Sequence, residues 1–164
     1  MKILGLDPAN KCGFAHSDGT HGTWKLKLPK DRHPGRRLHR LRRFLFAIKR
    51  DHGIDVIGYE DASFGSKNPN TMARHNELAG VIQLCAAEWD IPAFSFKPTH
   101  IKKFITDDGG ASKEQMMRAI ELLYGIRTRD DNIADAIAVM ERARVEATSN
   151  PEGFYYGEEE KTRT

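Results

Sequence analysis

At 164 residues, 39% hydrophobic and 30% charged, the chain suits one globular domain with a proper core, not a fibrous or low-complexity protein. No apolar run approaches the roughly 20 residues that cross a bilayer, and no charged-then-apolar leader opens the chain. The expectation is a cytoplasmic protein with no membrane partner. Net charge is only +3, but nine of the residues from Lys30 to Arg50 are Lys or Arg. Such a stripe reads either as a polyanion-binding surface or as a solvated helix face. Cys12 and Cys85 have no metal-binding spacing and read as buried free thiols.

In chain order, Lys2 to Leu6 reads as a buried strand that delivers Asp7 at its end, with Pro8 stopping it. A second strand begins at Gly13, Phe14 and Ala15, and Ser17-Asp18-Gly19 is a turn signal. Gly22 to Leu28 alternates as a third strand, which predicts an antiparallel meander. Pro34 and Gly35 open a helix whose core face is Leu38, Leu41, Leu45 and Ile48. Arg36, Arg37, Arg40 and Arg43 lie mostly off that stripe and are candidate DNA contacts. Gly53 ends the helix, and Ile54 to Tyr59 forms a fourth strand that delivers Glu60.

Asp61 to Asn70 is a polar loop carrying Phe64 and Lys67, both candidate DNA contacts, where Phe64 either packs or stacks on bases. Thr71 to Trp89 is a long helix, and its Leu78, Ile82, Cys85 and Trp89 face is core, or core plus a subunit interface. A fifth strand, Pro92 to Phe96, and a short helix from Pro98 follow. A Gly-rich loop and Ser112 then open a helix to about Tyr124. The last helix runs from Asp131 to about Thr148. The expected architecture is α/β: a mixed five-stranded sheet with helices on both faces, in one domain over 1–148, with a flexible tail over 149–164.

Asp7, Glu60, Asp131 and Asp135 all fall at strand ends or near a helix start. Carboxylates that converge raise one another's pKa unless cations intervene. Two Mg²⁺ ions roughly 3.5–4 Å apart relieve that repulsion and can drive phosphodiester hydrolysis. Oxygen ligands suit Mg²⁺, with Mn²⁺ able to substitute, and no His or Cys cluster argues for zinc. Asp131 and Asp135 share a helix face, as do Asn132 and Asp135; Asp131 reads equally as a helix cap.

These residues carry a resemblance. KILGLDP, the strand VIGYE, IKKFITDDGGASKEQM and NIADAIAVM, spread from Lys2 to Ala143, are similar to RuvC-type Holliday junction resolvases, and nearer a phage-type branch than the bacterial housekeeping enzyme. The resemblance implies an RNase H-like fold, a homodimer through the helix from Thr71 to Trp89, and metal-dependent paired nicks across four-way DNA junctions, in the host cytoplasm if phage-encoded. By match, Asp7, Glu60 and Asp135 bind metal, Asn132 stands where the family carries Asp or His, and Lys102 and Lys113 lie near the scissile phosphate. Asn132 can offer a carbonyl oxygen, so the fourth ligand is open between it and Asp131. The family's Gly after Asp-Pro is Ala9 here, and Phe64 is offset by about one from the family's junction-contacting aromatic. Competing readings are an RNase H-like nuclease of RNA–DNA hybrids or flaps, and a non-catalytic binder of branched DNA. A sugar-kinase or actin-like ATPase needs a second domain for which 164 residues leave no room.

Overall fold

The computed structural model describes residues 1–29, 33–61 and 68–150. Five strands form one sheet: β1 (Ile3–Asp7), β2 (Lys11–His16), β3 (His21–Lys25), β4 (Val56–Glu60) and β5 (Ala93–Phe96). Their order is β3-β2-β1-β4-β5. The first three form an antiparallel meander, and β1–β4 and β4–β5 pair in parallel. Five helices lie among the described residues: α1 (Gly35–His52), α2 (Pro69–Glu88), α3 (Pro98–Thr106), α4 (Lys113–Tyr124) and α5 (Asp131–Ser149). None is long and apolar enough to cross a membrane. Phe64, Lys67 and the end of the expected tail lie outside the described residues.

The two faces of the sheet bury separate cores. Side chains alternate across a strand, so successive residues of β1 point to opposite layers. Leu4 and Leu6 of β1, Cys12 and Phe14 of β2 and Ile57 and Tyr59 of β4 pack with Leu41 and Leu45 of α1 and Leu78 and Ile82 of α2. Ile3, Ala15, Val56, Phe94 and Phe96 pack instead against α3, α4 and α5. This arrangement matches the expected mixed sheet with helices on both faces. Both cysteines are free and buried.

Local chemistry explains most boundaries. Gly53, at φ 75°, closes α1 with its N–H donating to the Lys49 carbonyl. Ser112 and Gln115 form a reciprocal capping box that starts α4. α2 begins earlier than Thr71 because Asn68 caps it and Pro69 occupies its first turn. β3 ends at Lys25, short of Leu28, because its partner β2 starts at Lys11, directly opposite. Beyond Lys25 the chain bonds to the preceding turn, with the Leu26 and Lys27 amides donating to the Asn10 carbonyl at 2.8 and 3.1 Å.

α5 lies closer to the sheet than any helix with ordinary strand side chains beneath it could. A Cβ on Gly5 would fall 2.3 Å from the Ala136 carbonyl oxygen, and one on Gly13 would fall 1.9 Å from that of Asn132. A Cβ on Gly58 would meet the Ala143 methyl at 2.7 Å. The helix side of this contact is also small: Ala134, Ala136, Ala138, Ala143 and Ala147 are all buried.

Gly13→Ala should therefore push the first turn of α5 off β2, because the obstructing atom is backbone and cannot swing away. Overpacking of this kind costs about 1–3 kcal/mol. Chemical denaturation should show the loss, whereas Gly80→Ala, with nothing within 4 Å of the new methyl, should not. Equal stability of Gly13→Ala and the wild type would contradict the close approach.

Candidate active site

Asp7 closes β1 and Glu60 closes β4. The strands are parallel neighbours with Leu6 opposite Tyr59, so both carboxylates leave the sheet at the same end. Alternation puts Asp7 on the face of Ile3 and Gly5, and Glu60 on the face of Val56 and Gly58. That is the face covered by α5. His75 of α2 faces the turn after Asp7, its Nδ1 3.0 Å from the Pro8 carbonyl oxygen.

α5 brings the remaining acids. Its N-cap is Asp130, whose Oδ1 accepts from the Asn132 amide at 3.2 Å and from Asn132 Nδ2 at 2.8 Å. The cap is thus one residue earlier than Asp131, which the sequence left open as either cap or ligand. Asp131 is released from capping and ion-pairs with Lys113 at the start of α4. Asn132 turns its amide nitrogen to Asp130, and its backbone rests over Gly13. Lys11 of β2 ion-pairs with Asp130, which ties the helix start to the strand beneath it.

The electrostatics show which groups share a space. Burial, and then the charges of Asp135 and Asp131, push the Asp7 carboxyl up to about 7, with Lys113 opposing. Burial, then Asp7 and Asp135, push Glu60 up to about 8, opposed by Lys102. Asp135 is pushed up to about 6 by burial and by Asp131, while Lys102 and Lys113 pull it back. The fold thus brings Asp7, Glu60, Asp131, Asp135, Lys102 and Lys113 into mutual influence from β1, β4, α3, α4 and α5. Cys12, next to the Asp7 partner Gly13, is held as a neutral thiol by burial and faces the other core.

The donor set is chemically consistent with hard divalent cations. It offers carboxyl oxygens only, resists ionisation unless positive charge is supplied, and is partly withdrawn from water. Among the described residues, the one trio of metal-ligating groups whose ligand atoms all lie within 4.8 Å of one another is His16, Asp18 and His52, outside this acid set.

The basic residues of α1 divide. Arg36, Arg40 and Arg43 line one groove of about 400 Å³ with His39 and Phe44. Arg40 also donates to the Lys25 carbonyl at 3.0 Å. Arg37 turns the other way and ion-pairs with Glu77 of α2. With Lys27 and Arg74 it borders a second groove, of about 470 Å³, that reaches Asn10 in the turn following Asp7.

Sequence reasoning did not find Lys11, Asp130 or His75. The doubled Asp130-Asp131 hinted at a cap without saying which residue forms it. No local signal ties Lys11 to a residue 119 positions away.

Comparison with known proteins gives the family and the fold. A family model described as crossover junction endodeoxyribonuclease RuvC matches residues 3–141. The RuvC of Chloroflexus aggregans is 33% identical over 148 residues, covering 85% of this chain and 90% of that protein. The RuvC of Thermosipho melanesiensis is 30% identical over 150 residues, covering 85% and 94%. In fold, the chain is similar to Thermus thermophilus RuvC in complex with a Holliday junction substrate, with a TM-score of 0.76 at 16% identity over 91% of this chain and 97% of that one. The yeast mitochondrial Holliday junction resolvase Ydc2 is similar with a TM-score of 0.60 at 14% identity, covering 90% and 80%.

The raised carboxyls fix the sign of a pH effect. In chelator, Asp7, Glu60 and Asp135 hold their protons more tightly folded than unfolded. Their contribution to stability is full below the unfolded pKa values of 3.8 and 4.5 and is lost as pH rises through about 6 to 8. The metal-free melting temperature should fall across that window, and Asp7→Asn should flatten the fall. Mg²⁺ should restore the wild type more than the variant. A wild-type melting temperature that climbs between about pH 6 and pH 8 would contradict the acid cluster.

Proposed function

This chain belongs to the RuvC family of crossover junction endodeoxyribonucleases, and from that premise we propose that it resolves four-way DNA junctions by paired, metal-dependent nicks. One observation carries the reading: Asp7 and Glu60 end adjacent parallel strands under α5, where burial first, and then the Asp135 charge on both and the Asp7 charge on Glu60, push their carboxyls up. Acids so arranged are costly to leave uncompensated and useful around cations.

Asp7, Glu60 and Asp135 are the proposed ligands of two Mg²⁺ ions, with Mn²⁺ able to replace them. Asp131 is the better fourth ligand than Asn132. Its charge acts on both Asp7 and Asp135, whereas the Asn132 amide is engaged with Asp130. When bound, such a pair supplies an activated water and stabilises the leaving 3′ oxygen. Asp7 and Glu60 hold their end of the site rigidly because both close strands paired in the centre of the sheet. Lys102 is half-buried beside Glu60 and Asp135 and can steady the scissile phosphate from the α3 side. Lys113 opens α4, where free backbone amides and the helix dipole favour phosphate. Its pairing with Asp131 keeps it at the site until phosphate arrives.

The junction arms then extend over positive surface. The Arg36, Arg40 and Arg43 groove and the Lys27, Arg37 and Arg74 groove are the proposed tracks for the DNA backbone. Two nicks in equivalent strands call for two sites, which a C₂ homodimer supplies. The outer side of α2, with Gly80 and the 54%-exposed Leu84, is the proposed interface. A cytoplasmic location goes with this reading.

Junction-cleavage assays in Mg²⁺ test the proposal. The wild type should cut a four-way junction in preference to linear duplex, flap and RNA–DNA hybrid. Asp7→Asn, Glu60→Gln and Asp135→Asn should each lower the rate by at least about 100-fold, near 2.7 kcal/mol of transition-state stabilisation, and still bind the junction. Preferential cutting of RNA in hybrids would favour the hybrid-nuclease reading. Junction binding with no cleavage in any divalent ion would favour a non-catalytic binder.

A further inference from the structure

His16, the last residue of β2, is the one polar or charged residue fully buried among those described, at 2% exposure. It stands opposite Leu4 in the ladder, whereas Asp7 stands opposite Gly13. It is therefore three residues, about 10 Å, along the sheet from the acid set. It also points to the opposite face, towards the end of α1.

Its ring is oriented by a carbonyl. Nε2 lies 2.9 Å from the Gly53 carbonyl oxygen, which can only accept, so Nε2 carries the hydrogen. In the neutral ring, Nδ1 then presents its lone pair. That nitrogen receives only a long 3.3 Å donation from the Asp18 amide, and it faces the Asp18 carboxylate at 3.0 Å. The other oxygen of Asp18 lies 2.6 Å from Nδ1 of His52, the last residue of α1. One ligand atom from each of the three residues lies within 4.8 Å of the others. A lone pair facing a carboxylate is unfavourable unless a proton or a metal cation stands between them.

We propose that His16, Asp18 and His52 form a second cation site, separate from the acid set, that takes one divalent ion of the zinc class. Two imidazoles and one carboxylate are the donors of Zn²⁺, Co²⁺ and related ions, not of Mg²⁺. Bonds of about 2.0–2.2 Å at tetrahedral angles put neighbouring ligand atoms about 3.3 Å apart. The His16 to Asp18 spacing needs little change to reach this. His52 must draw back from Asp18, and its side chain, 29% exposed, has room to do so. The ion replaces the proton on His52 Nδ1, which is released to solvent. Asp18 is already ionised, its carboxyl held below the usual range chiefly by the Thr20 amide. A fourth position stays open to water. The bound ion fastens the β2–β3 turn to the junction of α1 and β4, so it steadies the basic helix from its C-terminal end.

The test uses the untagged full-length protein, stripped with chelator and titrated with Co²⁺ while visible absorption is followed, with Zn²⁺ as competitor. Asp7→Asn keeps the acid set from dominating the signal. One equivalent of Co²⁺ should bind in Asp7→Asn, giving a tetrahedral absorption band that Zn²⁺ abolishes. Adding Asp18→Asn or His52→Ala, both at accessible positions, should weaken binding at least as much as the 10–100-fold typical of losing an outer-shell partner. In the wild-type background these two changes should leave Mg²⁺-driven junction cleavage unchanged, which also shows that they fold. The proposal is overturned if no Co²⁺ binds, if Asp7→Asn alone removes the binding, or if Asp18→Asn and His52→Ala bind as before.

Discussion

The contact between the α5 backbone and the glycines of the sheet is the constraint on which the site depends. Gly5, Gly13 and Gly58 belong to β1, β2 and β4, and each would collide with α5 if it carried a Cβ. The glycines of β1 and β4 sit two residues before Asp7 and Glu60. Alternation along a strand therefore assigns the glycine floor and the two acids to one face. A helix that lies close on that floor arrives with its first turns over the acids. Larger strand residues would raise α5 and carry Asp131 and Asp135 away from Asp7.

This geometry works against stability. Three carboxyls pushed well above their usual range mean that the folded chain resists ionising them. Around them the chain places partial compensation: Lys113 on Asp131, Lys11 on Asp130, and Lys102 near Glu60 and Asp135. None of these lysines compensates Asp7 fully: its carboxyl stays pushed up to about 7 despite Lys113. The opposite face is conventional, with leucines and isoleucines of α1 and α2 on the sheet, and it supplies rigidity while carrying the basic grooves outward.

Much of this was legible in the sequence, because the signals were local. Asp7 after an apolar run and Glu60 after VIGY fall at strand ends by composition alone. Asp135 stands out as an acid between apolar neighbours, and Ser112 after a Gly-rich loop announces a capped helix. The unread parts depend on contacts between distant segments. A glycine inside a strand signals some close approach, but only the fold reveals that three of them meet the same helix. Asp130 and Asp131 are interchangeable as caps until the helix start is seen. Arg37 reads like its neighbours until Glu77 is found beside it. His16, Asp18 and His52 come from a strand end, a turn and a helix end, and no motif spacing connects them.

The central claim is that acids from two strands and one helix serve a single metal centre. It is tested most directly by Mn²⁺ binding without DNA, with free Mn²⁺ followed by electron paramagnetic resonance. Asp135→Asn is the decisive variant, because Asp135 reaches the site only through the α5 contact. The account predicts that Asp135→Asn loses Mn²⁺ affinity to a similar degree as Asp7→Asn and Glu60→Gln, while His52→Ala retains it. Wild-type Mn²⁺ binding by Asp135→Asn, alongside a loss in Asp7→Asn, would contradict it.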